Sequence, residues 1–488
     1  MAYVQENIIY RLKNYTGNMV GFDINALQPN FSSGPLTRIG PVIRITPDEV
    51  HLSDPQNYDL IYHNGSKNSK SAAFYDAFGT DHATFTTADN SIHRIKRGAL
   101  NPMFSRKRVL ELENVVQSRA KQLERRISSA LKTQGGIDLH HGFRAISVDV
   151  ITDYAFDNCY DFLEQDDFGV GFFDMIRDFG FMFWLFQQVP SIRPLALATP
   201  FWLAKLTSKP LTRMMMLHQV RVLAYLQNIL KVSERSSRVQ INRVKASLDR
   251  EEKPRRPTIF HQLLDPEFMK GEQVPTVEQL KDEAYIIVAA AADTTGNAMT
   301  IAAYNVVTNP EIYKRLTQEL VQAFPNPDAE MDFLTLEKLP YLTGVIKEGL
   351  RLSFGVIGRL PRVIYDPARC NGYTIPAGSI VSMSSWIQHR NEDLFPDSEK
   401  FSPSRWLDRE SSNHLEHYLV AFGKGSRQCV GMQLAYCELY VTLARVFRHF
   451  PNLTIKPKQP EELLYMDQFS SYHPEKYNQF YFQLDRSA

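Results

Sequence analysis

The sequence predicts a single, mainly α-helical domain with a small β-rich portion. Long segments repeat apolar residues at three-to-four spacing and end beside prolines, as amphipathic helices do. Only short segments have the composition and flanking turns of strands. No Gly/Ser-rich linker or internal repeat divides the 488 residues, so we expect one folded unit.

After a short β pattern near residues 41–53, helical signals dominate the sequence. The helices are expected at Ser105–Ser129, Thr276–Thr308, Pro310–Phe324, Leu336–Phe354 and Val430–Phe450. The strands are expected at Pro41–Ile45, Val50–Ser53, Pro361–Ile364 and Tyr373–Met383. Most of the helices fall in the second half of the chain.

Composition excludes several classes of protein. The 55 Lys+Arg and 54 Asp+Glu residues give a net charge of +1, so bulk charge gives no support to a nucleic-acid partner. Four cysteines without a CxxC pattern encode neither a disulfide framework nor a zinc site with several thiolates. Any chemistry must therefore reside in local motifs.

Two apolar segments need testing as membrane spans. Residues 179–204 contain Pro190, Pro194 and Pro200, which argue against a continuous spanning helix and favour contact with a membrane surface. Ala284–Val307 carries Asp293 near its centre and is better explained as a buried core helix.

The most specific local feature is the loop Phe422–Gly431, which precedes the last predicted helix. A lone thiolate at a helix start suits an anionic metal ligand, because the first-turn N–H groups lower the thiol pKa. Phe422 is placed to cover the Cys429 sulfur, Gly425 to let the backbone approach a flat cofactor, and Arg427 to bind a carboxylate such as a heme propionate. The alternative is a structural cysteine in a glycine-rich turn.

A second feature lies inside the apolar helix. Asp293 and Thr294 form an acid–alcohol pair, and ionising an acid there is costly unless a partner or a bound water offsets the burial. Such a pair can hold water and pass protons to a bound oxygen ligand. The alternative is a helix kink in which the threonine hydroxyl bonds to a carbonyl one turn earlier.

The loop resembles the heme-binding signature F-x-x-G-x-R-x-C-x-G of the cytochrome P450 family, and the match is complete from Phe422 to Gly431. This resemblance implies heme b with Cys429 as the axial ligand of the iron. Residues 290–295 are similar to the family's distal-helix motif [AG]-G-x-[DE]-T-[TS], except that Ala291 replaces a glycine. Asp293 and Thr294 take the proton-delivery positions in it.

Further charges acquire roles through the same resemblance. Glu348 and Arg351 match the family's E-x-x-R motif, which pairs with a later arginine, here Arg405, to brace the cysteine loop. The segment from His93 to Arg97 resembles W-x-x-x-R with histidine in place of tryptophan, and Arg97 is expected to reach a propionate. His93 is either a second such group or a surface histidine.

Arg362 is placed like the arginine that meets the other propionate. Lys424, Arg427, Arg405 and Arg409 are candidate docking cations on the cysteine-loop side, with ordinary surface solvation as the alternative.

The resemblance runs from about Gly40 to near Gln483 and implies a cytochrome P450 heme domain over residues 40–488. Residues 1–39 are expected to form an atypical N-terminal segment without the usual membrane anchor. The implied reaction inserts one atom of O₂ into a hydrophobic small molecule by hydroxylation or epoxidation. No flavin or nicotinamide domain is recognisable, so the electrons are expected from NADPH through a separate cytochrome P450 reductase.

The sequences of residues 46–55 and 93–105 are similar to those of the fungal secondary-metabolism branch of this family, near the trichodiene-oxygenase-like enzymes. Substrates in that branch are often terpenoids or polyketides. A heme-thiolate isomerase or dehydratase is the enzyme alternative, and a non-catalytic heme sensor or carrier is the alternative from another class. The resemblance implies a site at the endoplasmic reticulum surface, with 179–204 as a peripheral membrane contact and a cytosolic location as the alternative.

Overall fold

The computed structural model describes residues 40–156, 158–189, 191–208, 211–212, 258–269, 274–455, 465–473 and 480–484. The segment 1–39 named above lies outside these ranges. The α-helices in the first half are α1 Tyr58–Tyr62, α2 Ala72–Tyr75, α3 Asn90–Leu100, α4 Arg106–Thr133, α5 Leu139–Phe156, α6 Val170–Gln188, α7 Ile192–Ala198, α8 Phe201–Thr207 and α9 Ile259–Leu264. Those in the second half are α10 Val277–Val307, α11 Pro310–Ala323, α12 Phe333–Leu336, α13 Pro340–Ser353, α14 Ser385–His389, α15 Arg409–Tyr418 and α16 Met432–His449.

Short strands form the minor part of the fold. They are β1 Val42–Arg44, β2 Glu49–Leu52, β3 Ser69–Lys70, β4 Ile137–Asp138, β5 Arg362–Val363, β6 Ala368–Cys370, β7 Tyr373–Ile375, β8 Ile380–Ser382, β9 Leu453–Ile455, β10 Met466–Gln468, β11 Ser470–Tyr472 and β12 Tyr481–Leu484. One sheet has the order β1-β2-β8-β5-β3, with β2 and β8 parallel and the other neighbours antiparallel. The remaining strands form a three-stranded sheet and two hairpins.

Helix α10 lies at the centre of the helical body, packed mainly against α5 and α13. It begins with a capping box in which Thr276 and Gln279 satisfy each other's backbone N–H groups. Gly296 allows α5 to come close, because a Cβ there would lie 2.6 Å from the Cγ of Arg144. This close approach brings the Arg144 side chain to the acidic part of α10.

Helix α10 contains the apolar segment Ala284–Val307, which was considered above as a membrane span. Glu278–Val307 is long and apolar enough to cross a bilayer, but 72% of its apolar window is buried inside the protein. The prediction of a buried core helix is therefore confirmed. It is the one helix of the described ranges that passes this test of length and composition.

The structure differs from the predicted elements in instructive ways. The helix predicted from Leu336 is split into α12 and α13, because Pro340 starts a new helix at its first position. Helix α5 was missed, since nearly every one of its side chains is buried and its apolar pattern has no periodic face.

Candidate active site

The cysteine loop is held by its own backbone and by helix α1. The N–H of Cys429 donates to the carbonyl of Phe422 at 2.9 Å, which closes the loop. Gly425 has φ +74°, and a Cβ there would lie 2.4 Å from the Tyr62 carbonyl oxygen. The absence of a side chain at Gly425 therefore makes room for the end of α1, and its expected approach to a cofactor stays a prediction. The Phe422 ring is half-buried and packs on Tyr436.

The Cys429 side chain is exposed, yet desolvation raises the pKa of its thiol. We infer from this combination that Cys429 lines an internal cleft. The N–H of Gly431 and the charge of Arg97 act in the opposite direction. Cys429 precedes the first residue of α16, so the lowering predicted from the helix start is present only as the smaller effect of the Gly431 N–H, and burial has the largest effect on the thiol pKa.

A cluster of basic side chains lies near this cysteine. It comprises Lys70, His93, Arg97, Arg362 and Arg427. Within the described residues, none of the five forms an ion pair with a carboxylate within 4.0 Å. Burial, together with the repulsion of the neighbouring cations, lowers the pKa of His93 to about 3 and that of Arg427 to about 10. Several buried cations without a carboxylate require an anion to offset their charge.

Arg427 points into the protein. Its guanidinium donates to the carbonyls of Thr87 and Ala88 at 2.6 and 2.9 Å and to Asn90 Oδ1 at 2.8 Å. Its buried Nε has no hydrogen-bond partner. The suggestion that Arg427 is a surface docking cation is therefore wrong, and its free donor suits a carboxylate in the cleft.

Lys70 was not found by sequence reasoning. It pairs directly with Arg362 across strands β3 and β5, which places two like charges opposite each other. Its ammonium group donates to the Phe85 carbonyl and lies 4.1 Å from the Tyr75 ring centre. A lysine in a two-residue strand gives no sequence signal of burial, so only the tertiary structure reveals it.

The structure also shows the surroundings of the three other residues that were predicted to contact the propionates. His93 is buried on α3, so the surface alternative for this residue is wrong. Arg97 is half-buried, donates through Nε to Asn101 Oδ1 at 2.6 Å and acts electrostatically on Cys429. Arg362 donates to the Tyr75 hydroxyl at 3.3 Å. These donors suit a cofactor that carries two carboxylates, as heme does.

The Glu348 network has the geometry expected of a structural brace. Arg351 Nε and Nη2 each donate to a Glu348 carboxylate oxygen at 2.8 Å, and neither side chain is exposed. Arg405 Nε lies 3.2 Å from the same carboxylate, and Trp406 Nε1 donates to it at 3.0 Å. Arg351 also donates to the carbonyl of Lys400 at 3.0 Å. Because Arg405 forms an ion pair with Glu348, it is not a free docking cation.

Asp293 and Thr294 point in different directions. The Asp293 carboxylate is buried, and its Oδ1 accepts from Arg144 Nε at 2.8 Å, whereas Oδ2 is buried without a partner. Thr294 is half-buried and its hydroxyl donates to the carbonyl of Ala290 at 2.9 Å. Ala290 is exposed, so this face of α10 borders open space. The helix-kink hydrogen bond considered above is thus present.

Aromatic side chains close the cleft on another side. Phe469, on the turn between β10 and β11, has ring contacts with Phe78, Phe85 and Phe183 at centroid distances of 4.9, 5.8 and 5.5 Å. Asn297 of α10 donates to the hydroxyl of Ser471 at 2.9 Å, which fixes this hairpin one helical turn beyond Thr294.

Comparison with known proteins assigns the fold and site to a class. Residues 37–480 match the family model "Cytochrome P450". The chain therefore belongs to the cytochrome P450 family of heme-iron monooxygenases, and the predicted fold class and enzyme class are confirmed.

Among its relatives is the cytochrome P450 monooxygenase tpcC of Cochliobolus heterostrophus, 34% identical over 88% of this chain and 79% of the relative. The N-acetyltryptophan 6-hydroxylase ivoC of Emericella nidulans is 34% identical over 84% of this chain and 78% of the relative. The cytochrome P450 monooxygenase TRI4 of Trichoderma arundinaceum is 32% identical over 85% and 77%. These fungal relatives confirm the resemblance to the secondary-metabolism branch.

Proposed function

We propose that this monooxygenase binds heme b with the Cys429 thiolate on the iron and with its propionates held by the basic cluster. The observation that carries the assignment is an accessible, desolvated cysteine beside several cations that have no carboxylate partner within 4.0 Å among the described residues. Arg97, Arg362 and Arg427 are the proposed propionate donors, with His93 as a neutral one. Phe422 contributes the carbonyl that closes the loop under the thiolate.

Bound heme iron supplies the activation of O₂ and the insertion of one oxygen atom into the substrate. Thr294 holds a hydroxyl at the open face of α10, where it can bind a water molecule while donating to the Ala290 carbonyl. Asp293 holds a carboxylate whose Oδ2 can accept from water, and Arg144 fixes its orientation through Oδ1. The side chains of Asp293 and Thr294 are therefore the proposed route by which protons reach the bound oxygen ligand.

The proposed substrate is a hydrophobic small molecule, which is hydroxylated or epoxidised. A terpenoid or polyketide intermediate of fungal secondary metabolism is consistent with the relatives and with the aromatic wall around Phe469. The proposed electron donor is a separate NADPH-cytochrome P450 reductase. Of the suggested docking cations, Arg409 is exposed, whereas Lys424 is paired with Asp59 at 2.8 Å.

The proposed location is the surface of the endoplasmic reticulum. Helices α7 and α8 expose large apolar side chains, with Leu195 70%, Trp202 64% and Leu206 77% exposed. Such a patch fits the interfacial layer of a bilayer. Recovery of the whole protein in the soluble fraction of lysed cells, with no binding to anionic vesicles, would instead support a cytosolic location.

The test of the proposed site uses purified protein with NADPH and a reductase. The reduced, carbon-monoxide-bound enzyme is expected to absorb at the red-shifted position of thiolate-ligated heme. Absorption at the position of imidazole-ligated heme would reject Cys429 as the ligand. Thr294→Ala is expected to raise peroxide release at the expense of product, and unchanged coupling would reject its role in proton delivery.

A further inference from the structure

The turn between β10 and β11 carries the Asp467 carboxylate and the Phe469 ring two residues apart. Phe469 has φ +75°, a strained left-handed conformation that is rare for an aromatic residue. Two glycines allow close packing on two sides of the turn. A Cβ on Gly180 would lie 3.0 Å from the Cβ of Gln468, and a Cβ on Gly358 would lie 2.9 Å from the Asp467 carboxylate oxygens. This backbone strain is retained by tight packing.

The Asp467 carboxylate forms no ion pair within 4.0 Å in the part of the chain that the structure describes. Its Oδ1 accepts from the Phe469 N–H at 3.0 Å and holds the turn. The nearest opposing charge is Arg359, which makes its ion pair with Glu49 at 2.8 Å instead. Asp467 is exposed although desolvation raises the pKa of its carboxyl, so it faces the cleft as Cys429 does.

A further observation bears on the chemistry that this turn can bind. The centre of the Phe469 ring lies within 6 Å of the ring centres of Phe78, Phe85 and Phe183, so the turn that carries Asp467 has an aromatic tip. A carboxylate beside aromatic rings is the arrangement that binds substituted ammonium groups.

We propose that the Asp467–Phe469 turn binds the cationic ammonium group of the substrate, whose remaining part is apolar. This proposal rests on the proposed monooxygenase function and narrows its substrate class. Terpenoid and polyketide skeletons do not by themselves contain an ammonium group, so the proposal adds this group to the substrate class. Asp467 is a specificity-determining residue in this proposal and takes no part in the chemistry.

The test compares two probes that differ only in charge. One is N,N,N-trimethyltryptammonium, which has no nitrogen lone pair on its side chain and cannot bind heme iron through it. The other is its neutral isostere, in which carbon replaces the ammonium nitrogen. Binding of both probes to the heme-loaded enzyme is measured by isothermal titration calorimetry, which requires no turnover.

Wild-type enzyme is expected to bind the cation at least about tenfold more tightly than the neutral probe, the effect of one charged contact. Asp467→Asn keeps the acceptor that holds the turn and is expected to remove this preference, with unchanged affinity for the neutral probe. Glu410→Gln, a change of an exposed carboxylate on α15, is the matched control and should preserve it.

Equal binding of the two probes by wild-type enzyme would overturn the proposal, as would an equal loss of affinity for both in Asp467→Asn. Circular dichroism of the variant shows whether it is folded. The carbon-monoxide spectrum of the wild-type protein separates the two claims, because an imidazole-type spectrum with an intact cation preference would reject the heme–thiolate assignment and leave the Asp467 site standing.

Discussion

Glu438 provides the sharpest test of the energetics around the cysteine loop. It lies on α16, the helix that follows the loop, is buried, and accepts a hydrogen bond from the hydroxyl of Ser147 on α5 at 2.8 Å. Desolvation raises the pKa of its carboxyl from 4.5 to about 8. The folded protein therefore holds Glu438 protonated at neutral pH.

The sign of the pH dependence follows from this direction. A raised pKa in the folded state means that stability is fully present below pH 4.5 and is lost as the pH rises toward 8. Since each pKa unit corresponds to about 1.4 kcal/mol, this group removes roughly 3 kcal/mol of unfolding free energy between pH 5 and pH 8. Above pH 8 both states are ionised and the loss stops.

Glu438→Gln replaces the titrating group by a neutral one of the same shape. We expect the difference in unfolding free energy between variant and wild type to shift in favour of the variant by roughly 3 kcal/mol from pH 5 to pH 8. Any fixed cost of burying the amide is independent of pH and cancels in this comparison. Urea unfolding of the heme-loaded protein, followed by tryptophan fluorescence, measures it. Glu410→Gln is the exposed control, and parallel pH curves for wild type and Glu438→Gln would refute the reasoning.

Other changes test the remaining parts of the site. Arg351→Leu leaves the buried Glu348 carboxylate without its main partner and should cost about 3–5 kcal/mol of unfolding free energy by urea denaturation, part of which Glu348→Gln in the same chain should restore. Gly425→Ala should lower heme content in purified protein, because the new Cβ collides with the Tyr62 carbonyl; normal heme content would show that the loop can move. Lys70→Met should stabilise heme-free protein by removing repulsion from Arg362, yet release heme roughly tenfold faster to an excess of acceptor globin. Unchanged heme release would remove Lys70 from the propionate site.

Local sequence carried the motifs that define the site. The spacing from Phe422 to Cys429 fixes which groups can share one loop, and the i,i+3 spacing of Glu348 and Arg351 fixes that they share one helix face. Asp293 and Thr294 were recognisable because an acid is rare in an apolar helix. Each of these signals lies within about ten residues of chain.

The ionisation of the groups could not be read from the same motifs. The sequence predicts a lowered pKa for Cys429 from the helix start, whereas the structure adds a desolvation that outweighs it. His93 looked equally compatible with the surface and with the interior. Burial depends on which distant segments cover a side chain, and no local pattern encodes that.

The sequence alone determined the mainly helical fold, the cysteine loop and the order of the family motifs, because these depend on short spacings and on periodic apolar residues. The tertiary structure alone decided the partners. It paired Asp293 with Arg144 from another helix, placed Lys70 opposite Arg362, and left Asp467 without an ion pair among the described residues, on a turn with an aromatic tip. Each of these contacts joins residues more than a hundred positions apart or depends on the shape of a cleft, so the physical balance of charge appears only when the chain is folded.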